Sequence, residues 1–127
     1  MTLLVNGKLQ FARSEREHVR QTPDLLAHRV LEYCRAKLGV TVYQRIEWHA
    51  HTLLDGSREH GCVYKRWPHV LMLSDKLRDG SALEIVDTVA HEFHHSMRLM
   101  AGQDADEHGA DKFGRQVAAE WHAGGLA

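Results

Sequence analysis

The run His91-Glu92-Phe93-His94-His95 sets two imidazoles four residues apart, with an acid directly after the first. This spacing constrains the chain more than any other feature. Residues four apart share a face only on a helix, where they lie one turn above each other. On a helix the rings of His91 and His95 converge on one point, and a single metal ion can be held there. Glu92 is rotated from that line by about 100°. It reaches the neighbourhood of the ion without pointing at it, as a general base must.

Catalytic zinc usually takes three side chains and leaves a fourth position to water, so another ligand has to come from elsewhere in the chain. Glu107, twelve residues after His95, is the leading candidate. Asp111 follows it one helical turn later and can accept the outer N–H of a ligand histidine. Residues 104–114 thus read as a ligand helix. His94 is next to His95, where its ring diverges from the pair, and no ligand role is expected of it. Structural roles compete for the same residues. His91 and His95 could be satisfied histidines on a surface helix. Glu107 could be the reciprocal partner of a capping box begun by Asp104, and Asp111 could pair with Arg115 four residues on.

His91-Glu92-x-x-His95 followed by Glu107-x-x-Ala110-Asp111-x-Phe113-Gly114 resembles the gluzincin metallopeptidases. The Glu-x-x-Ala-Asp part is similar to that of the CAAX prenyl protease family and the ImmA/IrrE family. This resemblance implies zinc bound by His91, His95 and Glu107, with Glu92 as catalytic acid/base. It covers roughly residues 69–114, and the gap between its two motifs is short for those families. It also implies a substrate laid along an exposed sheet edge.

A second resemblance uses overlapping residues. Leu71-Met72-Leu73-Ser74-Asp75-Lys76-Leu77, Thr88-Val89-Ala90-His91-Glu92 and His108-Gly109 are similar to the SprT-like proteases, in which a His-Gly pair supplies the third ligand. That likeness implies His108 in place of Glu107, in a DNA-associated protease. Phe113 comes one residue later than the phenylalanine of that family, and its Cys-rich zinc ribbon is absent from these 127 residues.

With 127 residues, 43% of them hydrophobic and 26% charged, the chain is expected to form one globular domain over 1–127. Sixteen basic against seventeen acidic side chains leave no overall electrostatic footprint for nucleic acid. Cys34 and Cys62 lack metal-ligand spacing and read as reduced thiols. No charged segment followed by a long apolar core opens the chain. Neither a signal peptide nor a membrane anchor is expected, and the expected location is the cytoplasm.

Taken in order, Leu3 to Leu9 is an apolar run broken by Asn6-Gly7, a small hairpin or a loose arm. Thr22-Pro23 opens a helix expected over 23–38 and closed by Gly39. Residues 40–48 read as a strand, 61–66 as a weaker one, and 69–74 as a strand buried on both faces. Ser81-x-x-Glu84 opens a long helix over 82–101, with Ile85, Val86, Val89, Phe93, Met97 and Met100 as its apolar stripe. Asp104 is expected to cap the last helix, which carries Ala110, Phe113, Val117 and Trp121 inward and ends at Gly124-Gly125. The expected fold class is α+β. It has a small three-stranded sheet packed on the active-site helix with the ligand helix following, a minimal zincin-like core.

The function expected from these residues is that of a small soluble zinc metallopeptidase acting on a peptide or protein, with Glu92 as general base. Tyr64, His69 and Arg98 are candidate donors to an oxyanion, each with an ordinary structural role as its rival. His49, His51, His60 and His69 otherwise read as surface or loop residues, and Trp67, Phe93 and Phe113 as core. The alternative class is a zinc-holding regulatory or interaction protein without hydrolysis. Residues 1–20 could cover the active site as a latency segment.

Overall fold

A Thr-Pro pair starts the first helix as its chemistry requires. Thr22 Oγ1 accepts the Leu25 N–H at 3.2 Å, and Pro23 fills the first position, where no N–H is needed. Helix α1 then runs Pro23–Leu38 and ends at Gly39, whose φ of 67° lets the N–H of Val40 turn back to the Arg35 carbonyl at 2.9 Å. The computed structural model describes residues 4–5, 8–9, 22–50 and 60–124. Near the N-terminus, β1 (Leu4–Val5) pairs antiparallel with β2 (Lys8–Leu9), so the hairpin alternative describes this run. The Asn6-Gly7 turn lies outside the described residues, as do His51 and, apart from the four strand residues, the suggested latency segment.

The sheet is mixed and built around β5 (Val70–Ser74). Strand β3 (Arg45–His49) pairs parallel to it on one edge, and β4 (Gly61–Cys62) antiparallel on the other. All five residues of β5 are buried, which is what its unbroken apolar run requires of a central strand. Both flanking strands are shorter than expected. β3 starts at Arg45 rather than at residue 40 because its register pairs Arg45 with Val70, where β5 begins. The chain before it is tied down by a side chain instead. Arg35 donates from Nε to the Val42 carbonyl at 2.8 Å and to Gln44 Oε1 at 3.0 Å. β4 stops at Cys62 because the chain must already turn to re-enter the sheet, with Trp67 N–H donating to Tyr64 O at 2.9 Å and Val70 N–H to Trp67 O at 3.1 Å. That turn leaves Trp67 45% exposed, not in the core as expected.

After a 3-10 turn over Asp75–Asp79 comes α2, Ala82–Met100. Both halves of its capping box form: Glu84 N–H donates to Ser81 Oγ at 3.1 Å, and Ser81 N–H to Glu84 Oε1 at 2.9 Å. The latter bond holds the Glu84 carboxyl below its usual range. The chain leaves the helix through Gly102, whose φ of 77° lets the N–H of Gln103 reach back to the Arg98 carbonyl at 2.9 Å.

Helix α3 covers Glu107–Ala123. Its cap is Asp106, not Asp104 as expected: Asp106 Oδ1 accepts the Gly109 N–H at 3.0 Å, while Asp104 gives its carbonyl to Arg98 Nε at 2.7 Å. Glu107 is therefore the first residue of the helix. The capping-box role suggested for it would require the third position.

Leu71 and Leu73 of the sheet, Leu26, Val30 and Leu31 of α1, and Val117 and Trp121 of α3 all close on Ile85, Val86, Val89 and Phe93 of α2. Of the expected stripe, Met97 only borders this core and Met100 lies outside it. Phe113 is partly buried and stacks on Phe93 at 6.2 Å between ring centres. The architecture is a small α+β fold with α2 between the sheet and the other two helices. Among the described residues, no helix is long and apolar enough to cross a membrane.

Candidate metal centre

His91 and His95 are central in α2, and their Nε2 atoms stand 3.1 Å apart. Both rings meet the start of α3. The carboxylate of Glu107 crosses from α3 to meet them, with Oε1 at 2.7 Å from His91 Nε2 and Oε2 at 3.2 Å from His95 Nε2. Around a tetrahedral zinc with ordinary bond lengths, ligand atoms lie about 3.3 Å from one another. The three side chains need to open by only a few tenths of an ångström to share an ion, and two imidazoles with one carboxylate suit zinc chemically.

Asp111, one turn beyond Glu107, brings Oδ1 to 3.0 Å from His91 Nδ1. This atom faces the outer nitrogen of the ring, where an acid fixes the tautomer that leaves Nε2 free to bind. The suggested Asp111–Arg115 ion pair does not form among the described residues. His108 is exposed and joins neither metal-capable group, one of which is His91, Glu92 and His95, the other His91, Glu107 and Asp111.

Glu92 is buried, its side chain 6% exposed, with Oε2 at 3.9 Å from His91 Nε2. Strand β4 presses on it from the far side. A Cβ at Gly61 would lie 3.1 Å from Glu92 Cγ and equally close to the Met72 carbonyl, so glycine is the residue that admits this approach. Burial lowers the pKa of His95, and the neighbouring His91 lowers it further, against upward pulls from Glu107 and Asp111. Burial also lowers that of His94. Neutral imidazole is the form that binds metal. Asp87, one turn before His91, has its pKa raised, chiefly by burial.

A cleft of about 390 Å³ opens over the cluster, between β4 and α2. His60, Gly61, Cys62 and Val63 line its strand side, and Asp87 and Thr88 extend it along α2 beyond the histidines. None of the three suggested oxyanion donors lines it. Tyr64 packs edge-on against Trp67 and beside Val70 and Met72, and Arg98 is engaged with the Asp104 carbonyl. His69 contributes its carbonyl to the Arg45 N–H. Among the lining residues that sequence reasoning missed are His60 and Asp87. Asp87 carried a usable signal, four residues before His91 on the same helical face. His60 carried none, because nothing local reveals that β4 crosses Glu92.

Comparison with known proteins yields no matching family model, no matching curated protein and no matching solved structure.

Proposed function

We propose that this protein is a zinc-dependent peptidase of gluzincin type, with His91, His95 and Glu107 as metal ligands, Asp111 orienting His91, and Glu92 as acid/base. One observation carries the proposal. A single α3 carboxylate meets both Nε2 atoms of α2, at 2.7 and 3.2 Å, while a second acid one turn on backs the outer nitrogen of His91 at 3.0 Å. Exposed acids near a histidine are common, but a bridging acid and an orienting acid on consecutive turns match what a metal-bound imidazole needs on its two sides.

Bound zinc supplies Lewis acidity, lowering the pKa of a water to about 7 and polarising a carbonyl. Glu92 accepts the proton of the attacking water on its carboxylate and returns it to the leaving nitrogen. Its burial between α2 and β4 strengthens each electrostatic contact it makes. Asp111 keeps the Nδ1 proton of His91 in place throughout. Strand β4 is the edge of the described sheet beside Glu92, and an extended peptide can add to such an edge through main-chain hydrogen bonds. This favours a peptide or protein substrate. The SprT-like ligand set is disfavoured because His108 joins neither metal-capable group among the described residues.

Elemental analysis of untagged protein, with a hydrolysis assay on a fluorogenic peptide library, tests the proposal against that of a zinc-holding interaction protein. One zinc per chain is expected in both wild type and Glu92→Gln, with hydrolysis in the variant reduced by about 10²–10⁴-fold, the usual range for losing a general acid–base group. Absence of zinc after reconstitution would sink the proposal outright. Zinc without hydrolysis in the wild type would move the protein to the interaction class.

A further inference from the structure

The third ligand is the least restrained side chain of the cluster. Glu107 has its side chain 68% exposed, and among the described residues its ion-pair partners are His91 and His95 alone. The position of its carboxylate therefore follows from where the first turn of α3 is set. A small contact group sets that turn. Asp106 Oδ1 closes it by accepting the Gly109 N–H at 3.0 Å. The other oxygen of the same carboxylate, Oδ2, occupies the space that a Cβ at position 109 would need. His94 Cε1 approaches from α2 and would stand 3.1 Å from that Cβ. His94 itself is anchored next to His95, with its ring 5.7 Å from that of Phe113 on α3.

We propose that Gly109 is a positioning residue for the metal centre. Its bare Cα seats the Asp106 cap and the His94 ring together, and so holds the first turn of α3 where Glu107 meets His91 and His95. The inference rests on the metal-centre reading above. Its physical content is opposite to what local helix preference predicts. Gly109 lies inside a helix without needing a positive φ, where alanine is normally the better residue. At this position an added methyl group must displace the capping carboxylate, and it presses on the histidine ring as well. Asp106 Oδ2 is the end of a side chain, but the same carboxylate closes the turn through Oδ1, so moving it aside strains that bond.

The test measures zinc affinity by competition with a chromophoric chelator, and the visible spectrum of the Co²⁺-loaded protein, for wild type, Gly109→Ala and Asp106→Ser/Gly109→Ala. Gly109→Ala is expected to bind zinc about 10–100-fold more weakly, the usual effect of disturbing a group that orients a ligand, and to lose the intense absorption of a four-coordinate cobalt site. The double variant shortens the obstructing side chain but keeps a capping oxygen, and should recover most of the affinity. If Gly109→Ala does not fold, Asp106→Ala, which adds no bulk, carries the same expectation, with Asp106→Ser as its rescue. Wild-type affinity and spectrum in folded Gly109→Ala, or in Asp106→Ala where that variant takes its place, would overturn this inference and leave the metal centre standing. A wild type that binds neither zinc nor cobalt would overturn both.

Discussion

The two helices that meet at the cluster hold their side chains by different means. On α2, His91 and His95 lie in the interior of a 19-residue helix, with side chains 17% and 8% exposed, and the helical repeat alone sets their separation. On α3, Glu107 is the first residue, mostly exposed and positioned by a loop, a cap and the packing of one helix on another. Half of the centre is therefore built into one rigid element, and the other half depends on how two elements dock. Sites carried on helix interiors keep their geometry better than those at element ends, so perturbations away from the ligands should act mainly through Glu107.

The sharpest way to break this comparison is to remove the proposed ligands from either side. His95→Ala should abolish stoichiometric zinc, because it destroys the pre-arranged pair. Glu107→Ala should weaken zinc while leaving two ligands in register, and His108→Ala should leave it unchanged; elemental analysis after dialysis reads all three. Zinc lost in His108→Ala but kept in Glu107→Ala would reverse the assignment of the third ligand.

A smaller effect is expected where the helices touch without any ligand. At Gly114 an added Cβ would collide with Asp87 Oδ1 and lie 2.8 Å from the Asp87 backbone carbonyl, which cannot swing aside. Gly114→Ala should force α3 away from α2 and cost about 1–3 kcal/mol, as overpacking generally does, measured by urea unfolding. An unchanged unfolding midpoint would show that the seam has slack.

The smallest expected effect lies at the far end of α3, which is tied to α1. Tyr33 donates its hydroxyl to Glu120 Oε1 at 2.7 Å, and Lys37 Nζ pairs with Glu120 Oε2 at 2.8 Å. These two partners hold the Glu120 carboxyl below its usual range, Lys37 most strongly. The same contact pushes the Tyr33 hydroxyl up to about 12. A carboxyl whose pKa is depressed by folding adds stability above its unfolded pKa, near 4.3, and loses it as pH falls through the lower folded value. Glu120→Gln should thus lower Tm near neutral pH, by the equivalent of about 0.2–1 kcal/mol, and match the wild type in strong acid. A difference that persists unchanged at low pH would assign the effect to packing instead.

Much of this architecture could be read locally. The Thr22-Pro23 start, the Ser81/Glu84 capping box and the glycine stops after α1 and α2 involve partners at most five residues apart, and each forms as expected. The buried run of β5 was equally legible, since continuous apolar character requires cover on both faces. Strand lengths were not. Val40 to Gln44 have strand-like composition, but composition cannot reveal that β5 begins opposite Arg45 and leaves them nothing to pair with. The cap of α3 was misplaced for a related reason: Asp104 and Asp106 are equally good capping residues, and the Arg98 guanidinium takes the carbonyl of the first.

By itself, the sequence determined that His91 and His95 share a face and that Glu92 stands beside them, because the α-helical repeat leaves those three residues no other arrangement. It also narrowed the proposed third ligand to Glu107 or His108 and offered Asp111 as the acid behind a histidine. Only the tertiary structure decided that the Glu107 carboxylate bridges the pair while His108 faces solvent, that β4 covers Glu92 through Gly61, and that His60 borders the cleft. The reason is one of range. Hydrogen bonds within a turn are set by residues a few positions apart, whereas the approach of α3 to α2 depends on side-chain volumes at Asp87, His94, Gly109 and Gly114, which become neighbours only once the helices have docked.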